Sequence, residues 1–144
     1  MKIIKYFIEY MLISFLFIIF KIIGYKSASN FGEKLGKFFG PLFRSKKIVF
    51  KNLKESKITN DNSEIEKIIK SMWGNYGRIL AEYIYLKKFK DNSLSDFIDI
   101  EGIEYLEELK KNKKQAVFIS GHFNNFELMA MQIEKQGIDV AAIY

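Results

Sequence analysis

Apolar positions fall into three regimes along the chain. From Met1 to Ile23 nearly every residue is apolar or aromatic, with Lys2, Lys5 and Lys21 at the ends and only Glu9 and Ser14 within. The uncharged stretch Tyr10–Phe20 is too short to cross about 30 Å of hydrocarbon, but Ile3–Ile23, at about 1.5 Å per residue, just reaches across when the lysines snorkel. This predicts a helix that spans a membrane marginally or lies in its interface. A cleaved signal peptide is the rival reading, since a basic start, an apolar centre and the small residues Ser27-Ala28-Ser29 suit it. The length of the apolar region and the presence of Glu9 weigh against it.

The second regime has helical periodicity. Phe31, Leu35, Phe38, Phe39 and Leu42 recur at helical spacing, and Gly40-Pro41 is expected to stop that helix. Ser63-Glu64-Ile65-Glu66 reads as a capping box opening a long helix, whose apolar face runs from Ile65 and Ile69 through Met72, Trp73 and Tyr76 to Leu80 and Ile84. Trp73 and Tyr76 are expected as core anchors. Gly74 and Gly77, costly inside a helix, predict close approach by another element.

From Phe97 the period shortens. Phe97–Ile100, Gln115–Ile119 and Ile138–Ile143 read as strands, and Glu101–Lys111 and Asn124–Gln136 as the helices between them. That alternation predicts an α/β fold: an N-terminal membrane helix and helical segment, then the β-α-β-α-β start of a parallel or mixed sheet with right-handed crossovers. The domain reading is a membrane anchor over 1–23, a helical membrane-proximal region over 24–92, and the first, truncated part of an α/β core over 93–144.

Charge sharpens the picture of the N-terminal part. Residues 1–57 carry 12 Lys/Arg against 3 Glu, a balance of +9, and residues 58–144 carry 11 against 14, a balance of −3. Because the basic end is also the apolar end, the anionic partner is read as a membrane surface and nucleic acid is set aside, no recognition motif being present. Arg44, Lys46, Lys47 and Lys51 are the candidate membrane-surface residues; an ordinary solvated basic face is the alternative. The positive-inside rule keeps Lys21–Lys57 in the cytoplasm. The composition, 49% hydrophobic and 16% aromatic, excludes disorder for most of the length, and without cysteine there is no disulfide framework.

Candidate chemistry sits at Ser120-Gly121-His122-Phe123-Asn124-Asn125-Phe126-Glu127. It holds the only histidine of the chain, five residues before a glutamate and directly after the apolar run Ala116–Ile119. A strand ending at Ser120, a turn through Gly121 and a helix starting near Asn124 would present His122 as a general base beyond the carboxyl end of the strand. Glu127 in the first helical turn would then orient the imidazole and stabilise the imidazolium. Asn124 or Asn125 would cap the helix, and its N-terminal amides would help hold an oxyanion. A plain capping arrangement with an incidental histidine is the competing reading. No metal is implied, because one histidine and no cysteine would leave a zinc shell to three carboxylates.

The run Gly121-His122-Phe123-Asn124-Asn125-Phe126-Glu127 resembles the H-x4-D/E box of the lysophospholipid acyltransferase superfamily, in the form carried by the late acyltransferases of lipid A synthesis. The resemblance covers most of the chain, through Phe31-Gly32-x-x-Leu35-Gly36, Asn52-Leu53, Trp73-Gly74-Asn75-Tyr76-Gly77-Arg78 with Glu82, and Glu101-Gly102-Ile103-Glu104-Tyr105-Leu106. The family usually carries Gly and Trp where this chain has Asn124 and Phe126, and its members continue well beyond the position of Tyr144.

The resemblance implies an O-acyltransferase at the cytoplasmic face of the inner membrane. It would take its acyl group from an acyl carrier protein or coenzyme A thioester, without a further cofactor, and pass it to a hydroxyl of a lipid A precursor. His122 and Glu127 would be the catalytic pair. An acyl-enzyme is not expected, since no serine or cysteine is placed for activation. Two alternatives stand beside this: a truncated, non-catalytic membrane-associated fragment of such an enzyme, and an acyltransferase for another glycolipid or phospholipid.

Overall fold

The computed structural model describes residues 2–121 and 123–141. Helices α1 (Lys2–Ile23), α2 (Tyr25–Phe43), α3 (Lys46–Glu55) and α4 (Asn62–Glu82) belong to one compact unit, Met1–Ile84. Helices α5 (Leu86–Lys90), α6 (Ile103–Asn112) and α7 (Glu127–Lys135) belong to a second, Tyr85–Tyr144.

In the first unit α1 is long and apolar enough to cross a membrane, and almost none of it is covered by the rest of the chain. Its contact with α2 lies near their junction at Gly24, where Phe20 is buried and meets the Phe31 ring edge-on with centroids 6.0 Å apart. Ser27-Ala28-Ser29 fall in the first turns of α2, with Ala28 and Ser29 buried.

The main packing in this unit is α2 against α4, and it runs along a seam of glycine. A Cβ added to Gly32 or Gly77 would strike the carbonyl oxygen of the other, one on Gly36 would strike the Trp73 carbonyl, and one on Gly40 would enter the Trp73 ring. Glycine inside a helix costs about 1 kcal/mol relative to alanine; here that cost is offset because bare backbone lets the two helices approach. The close approach predicted from Gly74 and Gly77 is thus made by α2.

Three expectations for this unit need correcting. Gly40-Pro41 does not stop α2, which runs on to Phe43; Pro41 lies in the last turn, where a missing N–H disturbs only one helical bond. The N-cap of α4 is Asp61, whose carboxylate accepts from the Ser63 N–H at 2.8 Å, so the helix opens ahead of the Ser63 capping box. Tyr76 is 58% exposed and not a core anchor. It shares α4 with Ile65 and Ile69, which are buried with Val49 of α3 against Phe50, Leu53, Met72 and Trp73.

The second unit departs most from expectation: no strand forms among the described residues, so the β-α-β-α-β sheet is not seen. A run of apolar residues becomes a strand only when a neighbouring segment supplies hydrogen-bond partners for its backbone. Residues 114–120 are irregular, with Val117 and Ile119 89% and 93% exposed. The first predicted strand begins inside a 3-10 turn, Ser95–Phe97, and its residues 98–100 are irregular; of the last, 138–141 are irregular while 142 and 143 lie outside the described residues. The predicted helices on either side are present as α6 and α7.

In this unit α5 packs on α7, and Phe89 of α5, Ile133 of α7 and Tyr85, just ahead of α5, are buried. Burial of side chains such as Phe89 and Ile133 contributes about 1.5–3 kcal/mol each.

Candidate functional site

Of the proposed catalytic pair, the structure describes Glu127. His122 lies outside the described residues. Glu127 is half-buried and is the first residue of α7, in the first helical turn as expected. The structure puts the N-cap at Phe126 and not at Asn124 or Asn125, with a tight first turn in which Leu128 and Met129 donate to the carbonyls of Asn125 and Phe126 at 3.1 and 3.2 Å.

Asn124 has φ +47°, in the left-handed region. That conformation costs most side chains about 1–2 kcal/mol and is tolerated by glycine and, next best, asparagine. Asparagine at position 124 is therefore a residue that this backbone accepts.

Helix α7 is fixed from its far end. Lys135 Nζ donates to the Phe89 carbonyl at 3.0 Å and to Asn92 Oδ1 at 2.5 Å, and Lys90 pairs with Glu134 at 3.3 Å. The loop receiving Lys135 is shaped by Asp91, which accepts from Ser93 Oγ and N–H. Those bonds hold its carboxyl below the usual carboxylate range. Gly137, at φ +76°, ends the helix. Among the described residues no cluster of three or more histidine or acidic side chains is placed to hold a metal ion.

The candidate membrane-surface residues lie in the first unit. Arg44 ends α2 in an extended conformation, and Lys46, Lys47 and Lys51 are exposed on α3, where with Lys54 they rim an open groove beside Phe50. Lys46 pairs with Glu66 at 2.8 Å and Lys51 with Glu55 at 3.6 Å, whereas Arg44 and Lys47 make no ion pair among the described residues.

A polar cluster on the α2–α4 seam was not anticipated. Arg78 Nη1 donates to Ser29 Oγ at 3.1 Å and to Asn30 Oδ1 at 3.2 Å, Arg78 Nη2 pairs with Glu33, and Ser29 Oγ donates to Glu82 Oε1 at 2.8 Å. The hydrogen bond from Lys37, followed by the charge of Arg78, holds the Glu33 carboxyl below its ordinary value. Burial, with Glu82 nearby, lifts the Tyr25 phenol. In the sequence Arg78 and Glu82 stand out only as parts of the family resemblance. The available signal was the four-residue spacing of Gly32, Gly36 and Gly40, which marks the face of α2 that meets α4.

Comparison with known proteins agrees with the motif. Residues 1–144 match the family described as bacterial lipid A biosynthesis acyltransferase, and the chain belongs to that family. It is 25% identical over 112 residues to the lipid A biosynthesis myristoyltransferase of Escherichia coli (strain K12). That match covers 77% of this chain but only 35% of the relative, so the matched part of the chain spans about a third of the length of that protein. No solved structure matches it significantly.

Proposed function

We propose that the protein transfers a fatty acyl group from an acyl carrier protein or coenzyme A thioester to a hydroxyl of a lipid A precursor, at the cytoplasmic face of the inner membrane. The observation that carries this reading is the family match over the whole chain, with the H-x4-E spacing at His122 and Glu127 inside it. Helix α1 is long and apolar enough to serve as the anchor. Residues 24–92 form the membrane-proximal helical region, and 93–144 carry the reacting groups.

In this mechanism a ring nitrogen of His122 takes the proton of the acceptor hydroxyl as its oxygen attacks the thioester carbonyl. Glu127 receives the other ring N–H, fixing the tautomer and balancing the imidazolium. Collapse of the tetrahedral intermediate expels the thiolate, and the proton held by His122 neutralises it. Backbone amides around Asn124 and Asn125, where the chain turns into α7, face the developing oxyanion in this proposal. No acyl-enzyme is required.

The test is the mass of the lipid product. Membranes expressing the whole protein should convert an under-acylated lipid A precursor to a species heavier by one fatty acyl chain, and His122→Ala, present at the same level, should not. Equal conversion by the variant would remove the catalytic assignment. Acylation of a phospholipid instead would correct the acceptor.

A further inference from the structure

Helix α2 has two faces that the sequence alone does not separate. The face packed on α4 is the small one, carrying Ser29, Gly32 and Gly40. The aromatic stripe is rotated away from it. At its start the stripe meets α1 through Phe31 and Phe20. Phe38 and Leu42 stand seven and eleven positions after Phe31 and so share its side of the helix, but there they are bare: Phe38 is 74% exposed, Leu42 80% and the adjoining Phe43 83%. Immediately after Phe43 the chain becomes basic, with six Lys/Arg against one Glu over residues 44–57.

We propose that the C-terminal half of α2 is a second membrane contact. Phe38, Leu42 and Phe43 insert into the boundary of an anionic bilayer, and Arg44, Lys47 and Lys54 engage its headgroups. Two observations select a lipid surface over a protein as the occupant. The bare stripe continues the side of α2 that touches α1, the one helix among the described residues able to cross a membrane. Its apolar end also runs directly into a basic segment in which Arg44, Lys47 and Lys54 make no ion pair among the described residues, an apolar-plus-basic pattern that an anionic bilayer satisfies at one place through acyl chains and headgroups together. Helix α2 then lies along the surface, with α1 descending from its first turn. This inference deepens the membrane part of the proposed function and does not depend on the chemistry at His122.

The chain has no cysteine, so single-cysteine variants carry one label each. Nitroxides at Phe38→Cys, Leu42→Cys and Phe43→Cys, in the full chain reconstituted into phosphatidylethanolamine and phosphatidylglycerol vesicles, should be relaxed more by oxygen than by a water-soluble nickel chelate. A label at Lys70→Cys, on the exposed side of α4, should show the reverse. In vesicles of phosphatidylcholine alone the first three labels should move toward water; unchanged depth would overturn the role given to the cations. If the three labels behaved like Lys70→Cys, or were shielded from both reagents by a protein surface, the membrane contact itself would be overturned. Acyl transfer is not read in this experiment, so its failure is separate from failure of the acyltransferase reading.

Discussion

Gly32 of α2 and Gly77 of α4 face each other backbone to backbone, so that a Cβ on either would collide with the carbonyl oxygen of its partner. The neighbour in each case is main chain, which cannot swing aside as the end of a flexible side chain would.

Gly77→Ala should therefore destabilise the α2–α4 pair. Overpacking of this kind costs about 1–3 kcal/mol, set against a gain of at most about 1 kcal/mol from helix propensity. Denaturant unfolding in detergent, followed through Trp73, the only tryptophan, should show a lower midpoint. A higher midpoint would mean that the seam is looser than described.

These glycines also show how far the fold was legible in the sequence. Gly74 and Gly77 announced a close neighbour, and Ile65, Ile69 and the apolar N-terminus announced their helices, because helical periodicity is local and survives whatever the helix packs against. Which face of α2 would be buried was not legible from hydrophobicity. The seam selects small residues for approach, and so leaves the larger apolar ones bare. The strands failed for a related reason: Ala116–Ile119 looks like a strand by composition, but a strand is made by its partner. At the candidate site the first-turn position of Glu127 was legible, whereas the left-handed Asn124 and the late N-cap at Phe126 depend on turn geometry that residue type only permits.

Acid should weaken the seam through Glu33. Its folded pKa is depressed, chiefly by the hydrogen bond from Lys37 and then by Arg78. Its contribution to stability is therefore complete above the unfolded carboxylate value, about 4.3, and is lost as the pH falls through the folded one. Asp91 is depressed as well and acts in the same direction, so Glu33→Gln should remove part of the acid limb of a stability–pH curve and leave part. With both partners solvent-accessible, a Glu33–Arg78 double-mutant cycle should give about 0.2–1 kcal/mol. An unchanged acid limb would contradict the pairing.

At Asn124 the backbone conformation makes its own prediction. Asn124→Gly should be tolerated, while Asn124→Val should cost about 1–2 kcal/mol, since a β-branched side chain is poorly accommodated at positive φ. Thermal unfolding of the two variants side by side checks the order. Equal stability would place Asn124 outside the left-handed region.

Removing residues 1–23 should change the kind of membrane attachment. The intact protein should stay with membranes through alkaline and high-salt washes. The deletion variant, left with an interfacial contact only, should be released by salt, because surface binding of that kind is reversible and screened. Recovery of mature protein beginning near Asn30 would favour the signal-peptide reading instead.

In the proposed mechanism His122 and Glu127 act as one catalytic unit. The most direct test of this is the rate of acyl transfer from thioester to lipid A precursor by the whole protein and by His122→Ala, Glu127→Gln and the double variant, each in membranes at matched amounts. Loss of a general base costs roughly 10²–10⁴-fold. Loss of the carboxylate proposed to orient it should cost nearly as much, and the double variant should be little worse than His122→Ala alone, since in that mechanism the two residues serve the same step. Normal transfer by His122→Ala would contradict the account outright, and strictly multiplicative losses would show that Glu127 acts elsewhere.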